Sequence, residues 1–325
     1  MRKRLQCIDV NTKYCPCLLA ETNQCILCSQ LQGKDFCSCD WPGICIFNLK
    51  EWQKPLTAMP DFWRREEEVT MTASEAIGIN TYKLSFALSA DFAAELSRLG
   101  AFLFFRLAKD PLYFQFPVAV YKITGSQIEV IVEIIGPKTR RLWENRNDSI
   151  LVRGPYFNGL LGQPWIDKIS CGTILLIVGG IGQAPALAIA QKLRNGQNEV
   201  KAFLAPGQVG TLFCVEDLAA LGVTVYPLDS LRQTGFAKIR EWFITEKELP
   251  DVIVSAGPDV QHQAIIKILD ETHVNLPLVV TNNAVMCCGE GVCGSCQKKT
   301  KTDETVRLCK VQTDFDVLAE VLKEE

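Results

Sequence analysis

Apolar and polar positions follow two different rhythms along this chain. Residues 69–72, 81–88, 101–107, 118–123 and 128–134 are short β-type runs parted by Gly, Asp, Pro and Ser. Strands at that spacing, through about residue 164, predict a small antiparallel β-barrel. From residue 172 the rhythm changes. The run 173–178 is continuously apolar, as a parallel strand buried on both faces requires, and a helical period follows at 184–193. Further strand-like runs at 200–204, 223–226, 252–255 and 278–281 alternate with helical ones at 212–221, 236–243 and 261–269. That alternation predicts a doubly wound parallel sheet. Residues 1–60 show neither rhythm; they are dense in cysteine, with Trp41, Trp52 and Trp63 near their far end. A segment so short cannot bury a sufficient core unaided, so it calls for metal staples or a partner surface. The expected division is therefore 1–60, 67–165, 170–280 and 281–325.

Composition removes several functional classes. The 325 residues carry 34 Lys+Arg against 37 Asp+Glu, with no long basic run, which gives no electrostatic footprint for nucleic acid and no polybasic membrane anchor. Met1-Arg-Lys-Arg leads to Cys7 without an apolar signal region, and no apolar stretch approaches spanning length. The expectation is a cytoplasmic protein.

Cysteine changes the picture most. Of 15 cysteines, eight lie between Cys7 and Cys45 and five between Cys287 and Cys309. A disulfide framework belongs to small chains in oxidising compartments, so ligation of metal or clusters is the better reading. Cys288, Cys293 and Cys296, with Cys309 further on, have the C-x4-C-x2-C spacing and distant fourth thiol of a plant-type [2Fe-2S] site. Gly289, Gly291 and Gly294 let the loop wrap closely and aim backbone N–H groups at the sulfurs. A hairpin through Thr302-Asp-Glu would return Cys309 beside Cys296. Zinc sites usually pair two short C-x2-C knuckles, and only one is present here. The x4 count selects Cys288 over its neighbour Cys287.

Gly179-Gly180-Ile181-Gly182-Gln183-Ala184-Pro185 stands between the 173–178 strand and the next helix. Glycines there allow the backbone to approach a pyrophosphate at a helix N-terminus, and Pro185 suits an early helical position. The acid that usually follows about 20 residues on is missing, so the turn does not choose between NAD and NADP. Gly257-Pro258 marks a second turn on the same sheet edge, close to where a nicotinamide could lie. The two histidines, His262 and His273, fall in a helix or its exit and read as surface or helix-end residues. No Ser/His/Asp constellation stands at an obvious spacing, which leaves hydride and electron transfer.

These motifs, in this order, resemble the electron-transfer subunit family of bacterial dihydroorotate dehydrogenase and its relatives in sulfide dehydrogenase and NADPH:ferredoxin oxidoreductase. The resemblance covers about residues 67–325. It implies a ferredoxin-reductase-like fold: an FAD-binding antiparallel β-barrel, a doubly wound NAD(P)-binding sheet and a C-terminal [2Fe-2S] module. It places Gly179, Gly180, Gly182, Ala184 and Pro185 at the nicotinamide cofactor and Gly257 and Pro258 beside its ring. It places Cys288, Cys293, Cys296 and Cys309 on the cluster.

The flavin surface departs from the pattern. The family's Arg-Pro-x-Ser-type strand is matched by Phe116-Pro117-Val118-Ala119-Val120-Tyr121, without either polar group. Gly136-Pro137-Lys138-Thr139 resembles the phosphate-binding Gly-x-Gly-Thr turn, with Lys138 offering charge in place of the lost arginine. Gly154, Asn158 and Gly159 keep a Gly-Pro-x-x-Asn-Gly pattern. Pro117, Val118, Ala119, Tyr121, Gly136, Lys138, Thr139, Gly154, Asn158 and Gly159 are thus the expected FAD contacts.

The N-terminal cysteines have no counterpart in the basic subunit. Cys7, Cys15, Cys17, Cys25, Cys28, Cys37, Cys39 and Cys45 suffice for one or two further centres, zinc or iron–sulfur, since both take tetrahedral sulfur. The expected function is that of an oxidoreductase subunit passing electrons between NAD(P)H, FAD, the [2Fe-2S] cluster and a catalytic or electron-accepting partner protein. The alternative is a flavin-less, nicotinamide- or redox-responsive docking or sensor protein.

Overall fold

The computed structural model describes residues 6–9, 12, 14, 28, 64–246 and 248–318. Its strands are β1 (Gln6–Cys7), β2 (Arg65–Val69), β3 (Ala73–Gly78), β4 (Thr81–Ala87), β5 (Phe102–Leu107), β6 (Phe116–Thr124), β7 (Gln127–Glu133), β8 (Ile150–Tyr156) and β9 (Leu160–Leu161). They continue with β10 (Thr173–Gly179), β11 (Glu199–Ala205), β12 (Thr224–Pro227), β13 (Val252–Ala256), β14 (Leu278–Thr281), β15 (Gln297–Lys299), β16 (Thr305–Arg307) and β17 (Val311–Gln312). The helices among the described residues are α1 (Ala90–Glu95), α2 (Pro137–Glu144), α3 (Pro164–Asp167), α4 (Gln183–Asn195), α5 (Val215–Ala220), α6 (Phe236–Thr245) and α7 (Asp259–Glu271). The chain divides into two compact units: residues 66–283, and residues 1–65 together with 284–325.

The larger unit contains both predicted sheets. Seven antiparallel strands run in the order β2-β8-β5-β6-β7-β4-β3. Alternate side chains, among them Leu84, Phe86, Phe105, Val118, Val120, Ile128, Val130 and Val152, share one core. Each such side chain, taken fully out of water, contributes about 1.5–3 kcal/mol. The sequence reading merges two elements near residue 70: β2 ends at Val69 and β3 begins at Ala73. It also overlooks β8, whose apolar start at Ile150 runs into Gly154 and Pro155 and so reads as a turn.

The second sheet has the order β12-β11-β10-β13-β14-β9, parallel except for the short β9. The central strand β10 pairs with β11 on one side and β13 on the other, and Ile174 to Val178 are at most 1% exposed. One face packs with α4 and α5 residues such as Leu187, Ile189 and Leu218. The other packs with Ile239, Phe243, Ile265 and Ile268 from α6 and α7. Helix α4 also lies against β6, so the two sheets of this unit share a seam. There the Tyr121 hydroxyl donates to the Asp217 carboxylate while Lys122 Nζ holds its other oxygen at 3.0 Å.

In the smaller unit β1 runs antiparallel to β17, with Cys7 opposite Val311, and β15 and β16 form the predicted hairpin. Among the described residues no helix is long and apolar enough to cross a membrane.

Candidate functional site

The strand order turns back at β10, and the carboxyl ends of β10 and β13 carry the two predicted glycine turns. This is where open α/β sheets bind nucleotides. The glycines divide their work. A Cβ on Gly182 would stand 2.2 Å from the Ala256 carbonyl oxygen, so this glycine lets α4 pack onto β13. A Cβ on Gly179 would meet Gln261 Oε1 at 2.3 Å, another packing role. Gly180, at φ +56°, faces Gly207, also at φ +56°, across the mouth of the notch, and a Cβ on Gly207 would close to 2.7 Å from the Gly180 Cα. The two backbones pack directly against each other here, an approach that glycine at both positions allows. Ala184 is buried and Pro185 half-buried in the first turn of α4. Gln183, fully buried, donates to Gly180 O at 3.2 Å and Thr211 O at 2.9 Å, tying the turn to the loop after β11.

Beneath the Gly257-Pro258 turn lies a buried polar network that the sequence does not announce. His262 is fully buried, which corrects the expectation of a surface position; residues 262, 265 and 269 share the inward face of α7. His273, just past that helix, is exposed as expected. Ser255 Oγ lies 2.7 Å from His262 Nδ1, and His262 Nε2 lies 3.2 Å from both Thr281 O and Asn283 Nδ2. Gln261 Nε2 donates to Ile177 O, Ser255 Oγ and Ala256 O. Thr281 Oγ1 donates to Gly257 O at 2.9 Å and accepts from Gly257 N–H at 3.1 Å. Burial drives the imidazole down to about 4, so it is neutral near neutral pH. A strand end and a helix start meet across a tight turn, which is why no fixed sequence spacing reveals the Ser255–His262 pair.

The expected flavin surface is less complete. On β6 Pro117 is exposed and Ala119 half-buried, while Val118 turns into the barrel core. Tyr121 sits in the seam core, so its side chain serves packing, and burial together with Asp217 raises its phenol well above the ordinary range. Burial opposes ionisation of Asp217, yet hydrogen bonds from Tyr121 and Lys122 hold that carboxyl below its usual value. Gly136 precedes α2 with open space where a Cβ would point, and Thr139 Oγ1 accepts from the Ile135 and Gly136 N–H groups at 3.2 Å. Lys138 Nζ donates to Tyr113 O at 2.7 Å and Gln115 O at 2.9 Å, which fixes a cation against the start of β6. Gly154 packs against Leu103. Gly159 and Asn158 receive the Asn282 amides on their carbonyls at 2.9 and 2.7 Å, a structural use of that motif. The main-chain turn at 136–139 and the Lys138 charge fit a diphosphate; Phe116 and Ala119 supply no polar contact to the ring.

The predicted thiol loop assembles in the smaller unit. Gly289, Gly291 and Gly294 all have positive φ, +69°, +74° and +76°, so the loop winds tightly. The hairpin returns Cys309 as expected, and Leu308 N–H donates to Cys296 O at 3.1 Å. Cys288, Cys296 and Cys309 exchange side-chain hydrogen bonds, whereas Cys293 is exposed with its Sγ 3.1 Å from Ser295 Oγ. Cys288 is drawn down to about 4 by Cys309 first and then by the N–H groups of Cys293, Glu290 and Val292. Its two thiol neighbours and burial push Cys309 the opposite way, so the low value belongs to Cys288 within a mutually coupled set. Among the described residues no three ligand groups are gathered closely enough to hold one metal ion. Cys287 is half-buried. Of the N-terminal thiols, Cys7 and Cys28 are buried in this unit; Cys15, Cys17, Cys25, Cys37, Cys39 and Cys45 lie outside the described residues.

No protein-family model matches the chain. It is 30% identical over 184 residues to a probable dihydroorotate dehydrogenase B (NAD(+)) electron transfer subunit of Methanopyrus kandleri, covering 55% of this chain and 67% of that one. A counterpart from Methanothermobacter thermautotrophicus is 28% identical over 259 residues, covering 78% and 85%. Among solved structures, one of an NADH-dependent reduced ferredoxin-NADP oxidoreductase superposes with a TM-score of 0.61 at 18% identity, covering 77% of this chain and 89% of that one. That likeness establishes the ferredoxin-reductase-like fold.

Proposed function

Because the chain belongs to the family of dihydroorotate dehydrogenase B electron-transfer subunits, we propose that it carries electrons between NAD(P)H, FAD, a [2Fe-2S] cluster and a partner protein. The observation that supports the reading is one chain's possession of both glycine turns at the carboxyl ends of β10 and β13 and a C-x4-C-x2-C loop beside which the hairpin returns Cys309.

In this reading residues 67–165 hold FAD, 170–280 hold the nicotinamide cofactor, 281–325 hold the cluster, and 1–60 hold a further centre. Gly180, with Gly179, Gly182, Ala184 and Pro185 behind it, admits the diphosphate, and Gly257 and Pro258 border the nicotinamide ring. Pro117, Ala119, Gly136, Lys138 and Thr139 hold the flavin. Cys288, Cys293, Cys296 and Cys309 hold the two irons. When bound, the flavin exchanges a hydride for single electrons, which neither the nicotinamide nor the cluster can do alone. The chain's own contribution is positional. Thr281 and Gln261 fix the Gly257 turn, and Lys138 stabilises anionic phosphate beside α2. The neutral imidazole of His262 keeps the pocket floor free of charge. Chemistry on an organic substrate then resides on the partner, and the wealth of cysteines in a chain of this size supports a reducing, cytoplasmic setting.

Phe116 and Ala119 motivate a second reading, a nicotinamide- or redox-responsive docking protein without flavin. Anaerobic titration of the full chain with NADH, followed by visible absorbance, separates the two. Bleaching of both flavin and iron–sulfur bands supports electron transfer; cluster bands that ignore NADH and NADPH, with no flavin retained after reconstitution, overturn it.

A further inference from the structure

Within the smaller unit four charged side chains meet, three of them buried and the fourth, Glu290, half-buried. Asp9 is 1% exposed and Lys310 fully buried. Arg64 Nη2 donates to Asp9 Oδ2 at 2.6 Å and Arg64 Nε to Glu290 Oε1 at 3.2 Å. Lys310 Nζ donates to the same Asp9 oxygen and, at 2.8 Å, to Glu290 Oε2. The Arg64 guanidinium also lies 4.0 Å from the centre of the Tyr14 ring.

These residues come from three separate places in the sequence. Asp9 belongs to the N-terminal segment, whose Ile8 N–H donates to Lys310 O at 2.7 Å beside the β1–β17 pair. Arg64 closes that segment. Glu290 and Lys310 belong to the thiol loop: Glu290 sits between Cys288 and Cys293 and sends its backbone N–H to Cys288 Sγ at 3.3 Å, and Lys310 directly follows Cys309. Two cations and two carboxylates sum to zero, so the quartet adds no net charge beside thiolates that are themselves negative. Neutralising any one of the four changes the local charge by one unit in a medium that screens poorly.

We propose that Asp9, Arg64, Glu290 and Lys310 form a positioning site for the [2Fe-2S] cluster that sets its reduction potential, making the N-terminal segment part of the cluster module rather than an independent appendage. The inference rests on the reading of Cys288, Cys293, Cys296 and Cys309 as cluster ligands. Its electrostatic content has a sign. Reduction adds one negative charge to the cluster, so loss of a carboxylate stabilises the reduced form and loss of a cation destabilises it.

The test is a redox titration of the full chain followed by electron paramagnetic resonance. The [2Fe-2S] signal is defined as the one that Cys293→Ser removes, which keeps any N-terminal centre apart. Asp9→Asn and Glu290→Gln are expected to raise the midpoint potential of that signal, and Lys310→Met to lower it, while Lys299→Gln at an exposed pair on the same hairpin leaves it in place. Opposite shifts separate a tuning role from simple loosening of the loop, which would move every variant the same way or lower the iron content alike. Shifts of one sign, or none in variants that retain iron, overturn the proposal. If the unmodified chain gives no signal sensitive to Cys293→Ser, the ligand reading fails instead, a result distinct from the first.

Discussion

The proposed nicotinamide notch and the proposed flavin surface occupy the same compact unit, yet they are built in different ways. The notch is made of main chain. Gly180 and Gly207 let two turns pack backbone to backbone, Gly182 brings the helix down on β13, and buried Gln261, His262 and Thr281 fix the floor from behind. The flavin surface depends on side chains projecting from β6, and here Phe116 and Ala119 stand where polar groups are expected. A backbone-made site is bound up with the packing of the sheet, so losing it disturbs the fold. A side-chain-made site can change while the strand beneath it stays whole, because Val118 and Val120 continue to fill the core.

The largest expected effect tests the floor of the notch. His262 is neutral in the native state down to about pH 4, against the ordinary 6.5 of a free imidazole. Its depressed native pKa means the unfolded chain binds the proton first. Stability from this residue is therefore complete above pH 6.5 and is lost as pH falls toward 4, by about 3 kcal/mol in all. Denaturant melts of wild type and His262→Gln across that range check the claim. The variant should show a shallower acid dependence, and parallel curves would detach the histidine from the floor.

Next in size is Gly182→Ala. The added methyl meets the Ala256 carbonyl, and forced overpacking of this kind costs about 1–3 kcal/mol. Thermal melts should register that loss, and NADH binding should weaken with it, since helix and turn move together. Unchanged stability with unchanged binding would show that the notch is not rigidly joined to the sheet.

The same contrast decides what could be read from the sequence. Strand β10, its glycine turn and α4 were legible because a solid apolar run, glycines and a helical period coincide there. The thiol loop was legible because ligand spacing is local. Three things were not. The Ser255–His262 pair joins a strand end to a helix start across a turn, a contact with no fixed spacing, and the charge quartet joins residues distant in sequence, Asp9 and Lys310 most of all. Tyr121 read as a ligand contact from its place after β6's motif, but its side chain lies in the seam against Phe213 and Asp217. Helix α2 was hidden because Gly136-Pro137 reads as a turn before it reads as a helix start.

Restoring polarity to the flavin surface tests whether the strand is intact underneath. Phe116→Arg combined with Ala119→Ser changes two half-buried positions, of which Phe116 packs edge-on against Phe105 at the margin of the core, and leaves the buried Val118 and Val120 untouched. A charge-assisted hydrogen bond to phosphate is worth about 1.5–3 kcal/mol, so FAD affinity should rise by roughly tenfold or more. Isothermal titration with FAD measures it; no gain would mean that the surface has moved and not merely lost two contacts.

The smallest effect concerns Lys138, the cation expected to serve this surface. Lys138 already donates to the Tyr113 and Gln115 carbonyls, so its ammonium is held at the start of β6 and only part of its hydrogen-bonding capacity remains for a phosphate. Lys138→Met removes the charge and keeps the aliphatic stem. FAD binding should weaken by only about fivefold, near 1 kcal/mol, and the loss should shrink as salt screens the partly exposed site. A loss of a hundredfold or more would make Lys138 the main anchor and would place the flavin surface beside the notch as a site that a single element defines.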